Sequence, residues 1–106
     1  MWFHGGAFMW GSAGSILYDG RIAAPQGDMI IVTVNYRLTA YGYLYTGAIE
    51  PGEPTSGNWA FLDQQAAIKW VHENIAQFNG DPDLIMVYGQ SAGKDFNLAT
   101  FIDYKL

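Results

Sequence analysis

The run Leu84-Ile85-Met86-Val87-Tyr88, followed at once by Gly89-Gln90-Ser91-Ala92-Gly93, most narrows what this chain can fold into. A short, near-continuous apolar run reads as a strand buried on both faces. Gly-x-Ser-x-Gly directly after it calls for a turn so tight that side chains at the flanking positions would block it. The serine is thereby lifted above the carboxyl end of the strand, where a helix begins. A second run, Met29-Ile30-Ile31-Val32-Thr33-Val34, is β-branched and apolar on both faces and reads as an interior parallel strand. Met1 to Phe3 reads as the stump of a third. Between the two longer runs Asn58 is expected to cap a long helix, in which Phe61, Ile68, Val71, Ile75 and Phe78 recur at helical spacing. Asn79-Gly80 supplies a left-handed stop before Asp81-Pro82. Strand, long helix, strand, tight turn and helix form a right-handed parallel crossover unit, so the class is α/β. Ser91 then sits at the carboxyl end of a central strand, where open α/β sheets place their ligands.

The remaining segments are less regular. Ser15 to Pro25 suggests a short helix or helical turn after Asp19-Gly20, closed by Pro25-Gln26-Gly27-Asp28. Asn35 to Gly57 reads as a long loop whose Tyr36, Tyr41, Tyr43 and Tyr45 line a pocket or, as the simpler reading, pack the loop down. Parallel strands covered on both faces normally need more strands and helices than 106 residues supply, so a portion of a larger domain is expected, starting in mid-structure. The acidic balance, with no Lys/Arg run, offers no footprint for nucleic acid or an anionic membrane. No apolar stretch is long enough to span a bilayer, and Met1-Trp2-Phe3-His4 lacks the features of a signal peptide. There is no cysteine, hence no disulfide framework and no thiolate metal site, and no cofactor is implied. The compartment stays open.

The chemistry that this pattern points to is nucleophilic. A serine on such an elbow reads as the nucleophile of an α/β-hydrolase. His4-Gly5-Gly6-Ala7-Phe8, placed after the first strand, is a Gly-rich loop able to turn its N–H groups toward a developing oxyanion. A triad of this type runs Ser, then Asp or Glu, then His along the chain, and no histidine follows Ser91. Neither histidine present fits the base: His4 precedes the loop, and His72 lies on the long helix as a surface or boundary residue. Asp63 near the helix start suits the helix dipole, and Arg37 suits a structural ion pair.

These segments, taken in order, resemble the type-B carboxylesterase and cholinesterase family. The matching stretches are His4-Gly5-Gly6-Ala7-Phe8, Val34-Asn35-Tyr36-Arg37-Leu38, Gly42-Tyr43-Leu44, Gly57-Asn58-Trp59 with Leu62-Asp63-Gln64-Gln65, Trp70-Val71, Asn74-Ile75, Phe78-Asn79-Gly80-Asp81-Pro82 and the elbow itself. The resemblance implies a partial α/β-hydrolase domain over residues 1–93, with 94–106 a divergent or truncated tail. It implies hydrolysis of a small-molecule carboxylic ester through an acyl-serine, with Ser91 as nucleophile and the N–H groups of Gly6, Ala7 and Ala92 as the oxyanion hole. It also implies a family often secreted, whose acid and histidine lie beyond this segment, so that the chain alone is expected to be inactive. Ala7 stands where many relatives have glycine but still offers its N–H, and three departures stand out: Gln90 where glutamate is usual, the charges Lys94-Asp95 where small and apolar residues continue the helix, and the family's acid and histidine, which lie far beyond this segment. Gln90 leaves no carboxylate beside the serine, which favours neutral over cationic esters. The alternative is a non-catalytic adhesion or binding module of the neuroligin-like kind, which keeps the fold and loses the chemistry.

Overall fold

A computed structural model of the chain describes residues 1–45 and 57–94. Within them, three parallel strands, β1 (Trp2–Phe3), β2 (Thr33–Val34) and β3 (Tyr88–Gly89), lie in the order β2-β1-β3. The register sets Phe3 level with Val34 on one side and with Gly89 on the other. Parallel strands in this register leave the sheet at the same end, so His4, Asn35 and Gln90 emerge side by side. The connection from β2 to β3 steps over β1, and a long helix carries the chain back, as a parallel crossover requires.

The helix α3 (Trp59–Asn74) buries Ala60, Gln64, Ile68 and Val71, and Ile75 extends the row in the 3-10 turn Ile75–Phe78. These positions face Met1 and Phe3 of the first strand region, Val32 and Val34 of the second, and Ile85 and Val87 before the third. Alternate residues of each strand thus form one apolar face, which is the two-residue period of extended chain meeting the helical period of α3. The expected stripe was partly misplaced: Phe61 is half-buried and Phe78 is exposed, whereas Ala60 and Gln64 are fully buried. Asn58 occupies the N-cap position but its side chain makes no cap hydrogen bond. Its backbone, at φ −116° and ψ 38°, is not the extended conformation that aims a capping side chain at the first turn, and its carbonyl instead accepts from the N–H groups of Phe61 and Leu62. The left-handed stop is where the sequence put it, with Asn79 at φ 63° and Gly80 N–H donating to the Ile75 carbonyl at 3.0 Å.

The strands are shorter than the apolar runs. Of Met29 to Val34, only Thr33–Val34 enters the ladder, and β2 is an outer strand among the described residues, not an interior one. β1 pairs through Trp2 and Phe3 with two residues of each neighbour. Before β3 the chain turns through a 3-10 helix, Pro82–Leu84, begun by the Asp81 carboxylate accepting from Asp83 N–H at 2.9 Å. Leu84, Met86 and Tyr88 are exposed while Ile85 and Val87 face the core, so this run is buried on one face rather than two. On the second face Trp2 packs against Tyr18 and Tyr88, with ring centroids 5.3 and 5.0 Å apart.

The short helix expected after Asp19-Gly20 forms, and one segment read as a loop also contains helix. Pro25 lies inside α1 (Ala23–Gln26) instead of closing it, which is allowed because the first turn of a helix has no partner for the missing N–H. The stretch read as a long loop holds α2 (Thr39–Tyr43), packed on α3. Of its four tyrosines, Tyr36 is buried and Tyr43 half-buried, while Tyr41 and Tyr45 are exposed. Packing down therefore describes the first two. The rest of that loop, residues 46–56, and the tail 95–106 lie outside the described residues.

Candidate active site

Ser91 stands on a left-handed backbone, φ 51°, the second residue after β3. For an L-residue that conformation costs roughly 1–2 kcal/mol, and the surroundings hold it. Gln90 N–H donates to the Phe3 carbonyl at 3.3 Å, Gly93 N–H to the Gln90 carbonyl at 2.9 Å, and Lys94 N–H to the Ser91 carbonyl at 2.7 Å. Ala92, Gly93 and Lys94 are helical, Ala92 and Gly93 are buried, and Ser91 is exposed. The helix thus starts hard against β1. A Cβ on Gly93 would collide with the Phe3 carbonyl oxygen and stand 2.7 Å from that of His4, so only glycine lets the turn close there. The Lys94 side chain is exposed, which avoids the cost of burying its charge.

The loop after β1 is folded over the elbow. A Cβ on Gly5 would lie 2.7 Å from both the carbonyl and the Oε1 of Gln90 and 3.2 Å from the Ser91 Cβ, so the Gly-rich loop and the serine turn are in contact. Ala7 and Phe8 are also left-handed, with φ 53° and 63°, and Met9 and Trp10 both donate their N–H to the Gly6 carbonyl, at 2.9 and 3.1 Å. Because a peptide unit is planar, pinning the Gly6 carbonyl also fixes the direction of the Ala7 N–H. Among the described residues, no hydrogen bond engages the N–H of Gly6, Ala7 or Ala92. Three backbone donors on the loop and the elbow are therefore unengaged among the described residues, and Ser91 itself is exposed.

His4 is buried, and its Nδ1 lies 2.8 Å from the Gly5 carbonyl, an acceptor that requires the Nδ1–H tautomer. That proton is engaged in holding the loop. His72 is exposed on α3, as expected of a surface histidine. No group of three or more His, Cys, Asp or Glu residues able to hold a metal ion occurs among the described residues. Arg37 and Asp63, each expected in a separate structural role, pair with one another. The guanidinium meets both carboxylate oxygens, Nε to Oδ2 at 2.8 Å and Nη2 to Oδ1 at 2.7 Å, and the Arg37 N–H adds a third bond at 2.9 Å. These hydrogen bonds hold the Asp63 carboxyl below its ordinary range. Burial, with Tyr36 and Asp63 nearby, pushes the Tyr43 hydroxyl up to about 12.

Sequence reasoning missed Gln64, whose side chain is fully buried with both amide atoms unpartnered among the described residues. Its spacing of four from both Ala60 and Ile68 was the available signal. A cavity of about 640 Å³ is lined by residues such as Met29, Ile30, Ile75 and Phe78, and neither Ser91 nor the Gly-rich loop lines it.

The sequence model of the Carboxylesterase family matches residues 1–97. The chain is 50% identical over 93 residues to the para-nitrobenzyl esterase of Bacillus subtilis, a match that covers 88% of this chain and 19% of that protein. It is 48% identical over 93 residues to carboxylesterase 5A of Canis lupus familiaris, covering 88% of this chain and 15% of the relative. Its fold superposes on the crystal structure of a Geobacillus stearothermophilus carboxylesterase with a TM-score of 0.81 at 49% identity, over 87% of this chain and 20% of that one. The chain therefore spans about a fifth or less of the length of these relatives.

Proposed function

Since the chain belongs to the carboxylesterase family, whose members are ester hydrolases of α/β-hydrolase fold, we propose that it carries the nucleophile and oxyanion hole of a serine esterase acting on small neutral carboxylic esters. The observation that carries this reading is the exposed, left-handed Ser91 with the Gly-rich loop folded against it and the N–H groups of Gly6, Ala7 and Ala92 unengaged. Ser91 Oγ attacks the ester carbonyl carbon as its proton passes to a general base. The carbonyl electron pair moves onto oxygen, where the three N–H groups hold it. Collapse of the tetrahedral intermediate expels the alcohol, which takes the proton, and leaves the acyl group on Ser91. Water then repeats the sequence, releasing the acid and restoring the serine. Each donor to the oxyanion is worth on the order of 10²–10³ in kcat. The base and its acidic partner belong, in family order, after the elbow, and no histidine follows Ser91 in this segment.

A hybrid esterase tests this reading: residues 1–93 of this chain replace the matched segment of the Bacillus subtilis para-nitrobenzyl esterase, which supplies the remainder of the domain. The hybrid is expected to turn over short-chain aryl esters. A folded hybrid without turnover would contradict the proposal and favour a non-catalytic binding module.

The neutral-ester preference rests on Gln90, whose side-chain oxygen lies alongside Gly5 and next to the nucleophile. Gln90→Glu places a negative charge there. At about 4 Å in a water-like medium a charge pair is worth about 1 kcal/mol, so quaternary-ammonium esters should gain about fivefold in kcat/KM over neutral esters of equal acyl length. An unchanged ratio between the two proteins would remove the electrostatic argument.

A further inference from the structure

The Gly-rich loop is held from outside by one short stretch of chain. Tyr36, the second residue after β2, donates its hydroxyl to the His4 carbonyl at 2.5 Å and stacks its ring on the His4 imidazole, with centroids 4.7 Å apart and planes 22° apart. At the far end of the loop, Thr39 N–H donates to the Phe8 carbonyl at 2.7 Å, and beyond it Ala13 N–H donates to Asn35 Oδ1 at 2.9 Å. Asn35 to Thr39 thus grips the loop at its start and its finish. Arg37, in the middle of that stretch, is bound to Asp63 of α3 through both its backbone and its guanidinium. The grip is therefore fixed to the long helix.

Peptide planarity makes the first contact consequential. The Gly5 carbonyl and the Gly6 N–H belong to one rigid unit, so whatever holds that carbonyl aims that donor. The carbonyl is held by His4 Nδ1–H, and the imidazole is in turn sandwiched against the Tyr36 ring, while the Tyr36 hydroxyl fixes the preceding peptide plane. An oxyanion donor works only if it is in place before the charge develops. We propose that Tyr36 is a positioning residue for ester hydrolysis, its hydroxyl on the His4 carbonyl and its ring on the His4 imidazole setting the direction of the Gly6 N–H. Tyr36 itself touches no reacting atom. This assignment rests on the esterase reading above.

The test is Tyr36→Phe in the hybrid esterase, which keeps the stacked ring and removes only the hydroxyl. Losing one hydrogen bond's worth of orientation should lower kcat about tenfold with KM within about twofold. Affinity for an aryl trifluoromethyl ketone, which forms the tetrahedral adduct on the serine, should fall in parallel, whereas Tyr41→Phe, at an exposed tyrosine, should change neither. The order parameter of the Gly6 N–H should fall in Tyr36→Phe without a matching change in amides of α3. Unchanged kcat and adduct affinity, or a loss of thermal stability alone, would overturn the proposal. If the parent hybrid proves inactive, the esterase reading fails by itself; the Gly6 N–H order parameter then decides the positioning role, a fall supporting it and an unaltered value overturning it.

Discussion

Replacing Ser91 by alanine in the hybrid esterase is expected to lower kcat for a short-chain aryl ester by roughly 10⁶-fold, the scale seen when a triad serine is lost. Alanine tolerates the left-handed φ of 51° no worse than serine does, and the elbow is held by backbone hydrogen bonds from Gln90, Gly93 and Lys94 that the substitution leaves intact. The fall should therefore appear in kcat with the thermal transition unmoved. Undiminished hydrolysis by the folded variant would remove Ser91 from the mechanism. The size of the effect separates it from the outer-layer change at Tyr36, since one removes the reacting atom and the other only loosens an N–H that stabilises the charge.

The second large effect concerns the 106-residue chain by itself, which is expected to form aggregated or loosely collapsed material with no esterase activity. Trp10, Ile16, Leu17, Ile22, Leu84 and Met86 are all more than 70% exposed. Burial of such side chains is worth about 1.5–3 kcal/mol each, so leaving six of them in water forgoes on the order of 10 kcal/mol, comparable with the whole net stability of a domain. Among the described residues β2 and β3 also have no ladder partner on their outer edges, and open edges template association. The activity loss has a separate cause: without a general base the serine hydroxyl is a weak nucleophile at neutral pH. Circular dichroism with size-exclusion chromatography and a fluorophosphonate probe would read both. A soluble monomer with a cooperative thermal transition and stoichiometric labelling would contradict this account of the isolated chain.

Much of the architecture was legible because glycines and apolar runs punctuate the chain at the places where the fold turns. The elbow, the left-handed stop at Asn79 and the parallel neighbours of β1 could be read that way, since each is dictated by local chemistry. What escaped was decided by partners. Which residues of Met29 to Val34 enter the ladder is decided by the register with β1, and composition cannot give that. Likewise, α2 is a short helix stabilised by packing on α3, and isolated helices of that length have no intrinsic stability to betray them. Arg37 and Asp63 were each assigned a structural role, yet their pairing joins residues 26 apart in sequence and is visible only in three dimensions. Of the candidate site, Ser91 was named from its motif and Gly6, Ala7 and Ala92 through the family resemblance; the hold of Tyr36 on His4 was not named, because a tyrosine in a loop gives no sign of what its hydroxyl reaches.

Reaction of the hybrid esterase with a fluorophosphonate, followed by peptide mass mapping, tests the central claim most directly. Ser91 should carry the phosphonyl group at one equivalent per chain, and prior incubation with a short-chain ester analogue that occupies the site should protect it. A folded hybrid that takes up no label at Ser91, or takes it up at another serine with equal stoichiometry, would contradict the assignment of this turn as the catalytic elbow.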